Sequence, residues 1–221
     1  MNKRAVLSLG GSVITSNKPF VEAFVSLIRE FAGNGWEFIV YSGGGKLARE
    51  FQQQGKKIGM DDTGLDWLGI YASRIHAHLL CGMLSGVASP EVITDPTLPV
   101  NFSKPVICAG GWKPGWSTDF DAVKSASLIG AKKVLNITNV DGVYDKDPSQ
   151  FPDAKKLAVL SWPAFQKLVG KRWTPGLSMP FDPIASREAA MLGLKVCIIG
   201  PSIGEVRKAL HDEGFFGTVI S

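Results

Sequence analysis

Apolar positions along this chain come in short bursts, and most bursts stop at glycine. "AVLSLGGS" (5–12), "FIVYSGGG" (38–45), "VICAGG" (106–111) and "VCIIG" (196–200) are dense in β-branched and aromatic residues and predict buried strands. Each is followed by a helical pattern. Phe20, Phe24, Leu27, Ile28 and Phe31 fall on one helical face, and "KLAREFQQQG", "FDAVKSASLIG" and "EVRKALHDEG" continue the alternation of strand and helix. "KVLNITNVDGVY" (133–144) adds a strand and a turn. Residues 66–84, with Ile70, Ala77, Leu80 and Leu84 on one face, predict a long helix, and the proline-studded stretch 89–105 predicts an excursion inside the same domain. Repeated strand, glycine turn and helix imply an α/β fold with a mainly parallel sheet and helices on both faces.

Length and composition narrow the picture. A chain of 221 residues without a Pro/Gly/Ser-rich linker or a fixed repeat suits one domain. With 45% hydrophobic and 20% charged residues, disordered and fibrous classes drop out. The net charge of +4 is spread without a basic run, which speaks against nucleic acid and suits an anionic small ligand. Cys81, Cys108 and Cys197 lie far apart in apolar runs, as reduced core residues of a cytoplasmic protein would, with a reactive thiol as the alternative. No apolar run approaches the roughly 18 residues that a membrane span needs, so no membrane partner is expected. Three histidines without Cys-x-x-Cys leave no pattern for a structural zinc site.

The glycine turns carry the candidate chemistry. In an open α/β sheet, ligands sit at the carboxyl ends of strands, where loops enter helices. Gly10 and Gly11, Gly43 to Gly45, and Gly110 and Gly111 all fall at that place. Glycine lets backbone N–H groups approach a phosphate at a helix N-terminus, although it also serves plain tight turns. Three such turns at one end of a sheet favour a polyphosphate site. No G-x-x-x-x-G-K-[ST] is present, so a P-loop is not indicated. "GGGKLA" (43–48) matches the G-x-G-x-x-A dinucleotide fingerprint, but the acidic residue about 20 positions on, Asp66, opens a predicted helix instead of closing a strand. Lys46 and Arg49, three apart behind the triple glycine, suit phosphate oxygens or a solvated helix face.

"LGGS", "YSGGGKLAREF", "DWLGIYASRIHAHLL", "GWKPGWSTDFDAV", "TNVDGVYDKDPSQFPDAKK" and "FDPIAS" occur in the order found in the amino-acid-kinase superfamily, and the chain most resembles its archaeal-type UMP-kinase branch. The resemblance runs from residue 6 to the closing "GTVI". It implies a three-layer αβα sandwich that moves the γ-phosphoryl of ATP, with Mg²⁺, onto UMP to give UDP. Within one domain it implies an acceptor-binding lobe over about 1–130 and an ATP-binding lobe over about 131–221. ATP is then expected at Gly10, Gly11, Gly45, Arg49, Thr138, Asn139, Tyr144 and Asp147. The acceptor is expected at Gly44, Asp66 and the loop Lys113, Pro114, Gly115, Trp116, Ser117, Thr118 and Asp119. Asp119, Arg49, Lys46 and Asp182 are the residues implied at the reacting phosphoryl group. A homo-oligomer, commonly a hexamer, with the helix near 66–84 at a subunit contact is implied as well.

Each assignment has a plainer structural alternative. Asp119 and Asp66 are good helix caps, Tyr144 can fill a core, Asp147 before Pro148 can form a turn, and Trp112 and Trp116 can plug a gap. The chain also departs from the superfamily. Ser8 stands where many members carry a lysine, leaving Lys46, Arg49, Lys113, Arg187 and Mg²⁺ as sources of positive charge. Lys113 to Asp119 replaces the usual His-Pro-Gly-His-Thr-Thr-Asp, His76 the usual Asn, and "GKRWTPGLSMPF" (170–181) a small-residue stretch. Two alternatives to UMP phosphorylation follow: another acceptor such as isopentenyl phosphate, and a nucleotide-binding or storage protein without turnover. The first lacks the histidine expected beside the triple glycine. A dehydrogenase rests on "GGGKLA" alone.

Overall fold

A computed structural model describes residues 3–146, 148, 150–170 and 180–221. The first half of the chain forms β1 (Arg4–Leu9), α1 (Gly11–Ser16), α2 (Lys18–Gly33), β2 (Glu37–Ser42), α3 (Gly45–Lys57), α4 (Asp62–Met83), β3 (Val106–Ala109) and α5 (Thr118–Leu128). The second half forms β4 (Lys133–Ile137), β5 (Val143–Tyr144), β6 (Lys156–Leu157), β7 (Val159–Leu160), α6 (Trp162–Val169), α7 (Pro183–Met191), β8 (Lys195–Ile199), α8 (Ile203–Leu210) and β9 (Thr218–Ile220).

Among the described residues seven strands form one sheet in the order β3-β2-β1-β4-β8-β9-β7, parallel except where β9 runs against β8, and β5 and β6 form a separate antiparallel ribbon. Strand alternation sends side chains to two faces. Ala5, Leu7 and Leu9 join one core with α1, α2, α4 and α8, whereas Val6, Ile39 and Tyr41 join the other with α5, α6 and α7. This is the expected three-layer arrangement. On α2 the apolar stripe is fully seated: Phe24 and Ile28 are 0% and Leu27 1% exposed, each such burial contributing about 1.5–3 kcal/mol.

The strand order reverses beside β1, because β2 and β3 lie on one side of it and β4 on the other. The carboxyl ends of β1 and β4 therefore flank the crevice where an open α/β sheet holds ligands. Gly10 N–H donates to Ile137 O at 2.9 Å there, and Thr138 N–H to Ile199 O at 3.0 Å.

One local expectation is corrected, and at a second helix the plainer alternative for an aspartate falls away. The long helix begins at Asp62, and its cap is Asp61, whose carboxylate accepts from Gly64 N–H. Asp66 therefore lies within the helix and is not its cap. At α5 the cap is Ser117, whose hydroxyl accepts from Phe120 N–H at 3.2 Å, so Asp119 is free of capping duty. Residues 89–105 hold no named helix or strand; Ile93 makes a single bridge to Ala109, and Ala88, just before the segment, one to Val106.

Candidate active site

The three glycine turns meet in a cleft of about 440 Å³ at the switch point. The first two interlock. A Cβ at Gly11 would stand 2.2 Å from Gly43 O and 2.5 Å from Gly45 N, and a Cβ at Gly45, where φ is +59°, would stand 2.3 Å from the Gly11 carbonyl carbon. Only glycine permits that main-chain approach. Neither α1 nor α3 has a side-chain cap, since Gly10 and Gly44 occupy the capping positions, so first-turn N–H groups of both helices have no capping side chain in front of them. The N-terminal residues of α5 line the opposite wall. Aligned peptide dipoles and free amides make this a place for anionic oxygens.

Of the residues anticipated at the donor, Gly10, Gly11, Gly45, Arg49, Thr138 and Asn139 line the cleft. Arg49 reaches across from α3, with Nη2 donating to Ser12 Oγ at 3.0 Å. Tyr144 lies on the β5–β6 ribbon outside the lining, its hydroxyl donating to Asp141 Oδ1 at 2.7 Å. Asp147 and residues 171–179 lie outside the described residues. Of those anticipated at the acceptor, Gly44, Asp66, Trp116, Ser117, Thr118 and Asp119 line the cleft. Gly115, at φ +88°, donates its N–H to Asp66 Oδ2 at 2.8 Å and so joins the loop to α4. Pro114 stands beside it outside the lining, and the Lys113 ammonium sits 3.7 Å from the centre of the Trp112 ring. Trp116 packs on Phe120 with ring centres 4.0 Å apart, one face of a ladder that continues to Trp112. Lys46 points away from the cleft: its ammonium lies 3.6 Å from Glu50 and its side chain is 70% exposed. The outer face of α3 was one of the two alternatives for this residue, and the geometry selects it.

Asp119 and Asp182 meet at the centre of the site. Asp119 Oδ1 accepts from the Ser8 hydroxyl at 3.0 Å, and Oδ2 from Asp182 N–H at 3.3 Å. Ser8 can do this because it points to the α5 face of β1, opposite Leu7 and Leu9. Burial, reinforced by the neighbouring Asp182 charge, pushes the Asp119 carboxyl up to about 7, against the hydrogen bonds that favour its ionised form. Asp182 caps α7, with Oδ1 accepting from Ile184 and Ala185 N–H, while Oδ2 is buried with no hydrogen-bond partner among the described residues. Burial raises its pKa too, as it does that of Asp66. Carboxyls whose pKa burial raises, at the edge of an amide-lined cleft, are poised for a cationic partner or for the basic groups that accompany phosphate.

The matching descriptions of known proteins accord with this geometry. Residues 3–200 match the model of the amino acid kinase family. The chain belongs to that family. A uridylate kinase of Pyrococcus abyssi is 37% identical over 89% of the chain and 90% of that relative, and one from Archaeoglobus fulgidus is 34% identical over 99% of the chain and its own whole length. The crystal structure of the Archaeoglobus fulgidus uridylate kinase superposes with a TM-score of 0.84 at 32% identity, covering 98% of this chain and 99% of that one. A UMP kinase of Bacillus anthracis, 21% identical with a TM-score of 0.79 over 99% of this chain and 96% of its own, shares the fold.

Within this member of the amino acid kinase family, several cleft residues had no role assigned from the sequence, although Ser12, Gly69 and Ser73 lie inside its quoted motifs. Ser12, Gln52, Gly69 and Ser73 line the site. Ser73 falls on the Ile70, Ala77, Leu80 stripe, where a hydroxyl among apolar residues was the available hint; it accepts from Gly111 N–H at 2.8 Å. His76 is buried, and its Nδ1–H donates to Gly43 O at 2.8 Å, fixing the triple-glycine turn.

Proposed function

We propose that the chain is an ATP- and Mg²⁺-dependent kinase that phosphorylates UMP to UDP. The observation that carries this is the cleft itself: two uncapped helix N-termini and the start of α5 converge at the switch point, with Asp119 between a glycine-lined donor side and the loop that Asp66 holds. Uridylate kinases stand among the relatives that match over nearly the full chain.

Phosphoryl transfer requires two anions held in line and their charge neutralised, with little covalent work by the protein. Gly10, Gly11 and Gly45 bring amides to the ATP phosphates, and Arg49 supplies a fork for a phosphate oxygen. Thr138 and Asn139 continue the donor side, with Tyr144 and Asp147 as its nucleoside contacts. Gly44, Asp66 and residues 113–119 hold UMP, with Ser117, Thr118 and the first-turn amides of α5 at its phosphate. This divides the domain into an acceptor half over about 1–130 and an ATP half over about 131–221, with Gly10, Gly11, Gly45 and Arg49 reaching the donor from the acceptor half. Asp119 orients the groups around the transferring phosphoryl. Mg²⁺, when bound with ATP, would neutralise phosphate charge, and Asp182 fits it, because Oδ2 is a buried acceptor with no hydrogen-bond partner among the described residues.

The protein acts as a homo-oligomer, hexameric by its resemblance, in the cytoplasm. Trp67, Tyr71, Ile75 and Leu79 form a four-residue-spaced exposed stripe on α4, about 18 Å long at 1.5 Å per residue. It is uncharged and suits a two-fold contact with the same stripe of a second copy. The three cysteines are free, as a reducing compartment keeps them. No helix among the described residues is long and apolar enough to cross a membrane.

The test is ADP release from Mg-ATP with UMP, in the wild type and in Asp119→Asn. Turnover in the wild type and a drop of at least about 100-fold in the variant, with cooperative unfolding retained, are expected. Equal turnover in the two proteins removes Asp119 from the reaction.

A further inference from the structure

The loop from Gly110 to Asp119 is fastened to α4 by its backbone. On the buried side Gly111 N–H donates to Ser73 Oγ, and from α5 the Asp121 carboxyl accepts Trp112 N–H at 3.0 Å. The carbonyls of the same two residues face one side chain: Arg74 Nε donates to Gly111 O at 3.0 Å and Arg74 Nη2 to Trp112 O at 2.8 Å. This approach depends on Gly110, where a Cβ would stand 2.7 Å from Arg74 Cγ and 2.9 Å from its Cα. The guanidinium is itself held in place, lying 5.6 Å from the ring centre of Tyr71 and 5.9 Å from that of Trp67. Asp66, eight residues before Arg74 and so on a neighbouring part of the same helical face, grips the loop again at Gly115.

We propose that Arg74 is a positioning residue for the acceptor: its fork sets the Gly111 and Trp112 carbonyls so that Gly115 to Asp119 closes at the right distance from Asp66. The assignment rests on the reading of this loop as the acceptor grip. Arg74 does not line the cleft, so it acts through the loop and touches no substrate. Its planar fork bonds two carbonyls while stacking on two rings, which the point charge of a lysine cannot reproduce. The exposed aromatic stripe of α4 is thereby joined to the site through one side chain.

Arg74→Lys keeps the charge and removes the fork. Steady-state kinetics with UMP and Mg-ATP are expected to show KM for UMP raised about 10-fold, with KM for ATP and kcat changed less than about 2-fold. Hydrogen exchange, read without any substrate, is expected to speed up at the amides of residues 111–113, 115 and 116 and to stay as in the wild type at residues 43–49. Tyr71→Leu, which leaves the fork but removes a ring beneath it, is expected to move KM for UMP in the same direction by about 2- to 3-fold. Unchanged exchange in the loop of Arg74→Lys overturns the proposal. So does an equal rise in both KM values with faster exchange throughout, the signature of general loosening. A wild type that fails to turn over UMP refutes the UMP assignment, and the exchange comparison still decides the role of Arg74.

Discussion

Replacing Gly11 by Ala adds one methyl group at the tightest point of the site. That methyl would lie 2.2 Å from Gly43 O, 2.5 Å from Gly45 N and 2.7 Å from the Gly43 carbonyl carbon, all main-chain atoms. Ordinary separations are about 3.5–4.0 Å, so the triple-glycine turn must retreat by about 1 Å. Overpacking costs about 1–3 kcal/mol, and the upper end applies because no flexible side chain can yield. Alanine inside a helix returns up to about 1 kcal/mol relative to glycine, and Gly11 opens α1. The net loss of about 2 kcal/mol corresponds to a Tm lower by about 4–8 °C in a domain of this size. Because α3 starts at Gly45, the retreat also misplaces the first-turn amides and Arg49. Thermal unfolding paired with calorimetric titration of a non-hydrolysable ATP analogue measures both effects, and affinity is expected to fall at least about 10-fold. Gly33→Ala, with open space around its Cβ, is the control and is expected to leave both unchanged. A Gly11→Ala protein with Tm within about 2 °C of wild type and undiminished ATP affinity would refute the argument from main-chain contact.

Two further outcomes follow from the charges. With its carboxyl pushed up to about 7 in the fold, against 3.8 ordinarily, Asp119 contributes stability that is fully present below the ordinary value and is lost as pH rises through about 7. Between pH 6 and 8 the loss is about 1.4 kcal/mol, or a Tm lower by about 3–5 °C, and Asp119→Asn is expected to lack this slope in a ligand-free melt; an identical slope in both proteins contradicts the assigned shift. Arg49→Ala is expected to lower kcat/KM for ATP by at least about 100-fold, whereas Lys46→Ala, whose ammonium faces Glu50 at the surface, changes it less than about 3-fold. The reverse ranking would place the phosphate contact on Lys46.

The sheet and its glycine turns were legible because each strand ends where its apolar burst meets glycine, and burial on two faces leaves those bursts continuous. Interlocking of Gly11 with Gly43 and Gly45 is a tertiary fact that no local pattern carries. The start of α4 was misplaced to Asp66, because "DDTGLD" offers several caps and Asp61 is the one aligned with Gly64 N–H. Lys46 and Arg49 looked equivalent at three-residue spacing, yet only the guanidinium is long and rotated enough to enter the cleft and meet Ser12. The missing strand-one lysine was visible at Ser8, but its hydrogen bond to Asp119 joins residues 111 positions apart. Arg74 and His76 lay within a recognised helix motif, and their carbonyl partners at Gly43, Gly111 and Trp112 became apparent only once α4 was packed beside the glycine turns. Tyr144 stands apart from the cleft lining because its ribbon turns the hydroxyl towards Asp141.

The most direct measurement is ADP release by the wild-type protein with Mg-ATP and, in turn, UMP, CMP, AMP, isopentenyl phosphate or no acceptor. Turnover with UMP well above every other condition is the predicted result, and it makes Trp116 and its neighbours the wall of a nucleotide pocket. Turnover with isopentenyl phosphate alone, or ATP binding without ADP release under any condition, would contradict UMP phosphorylation on this fold.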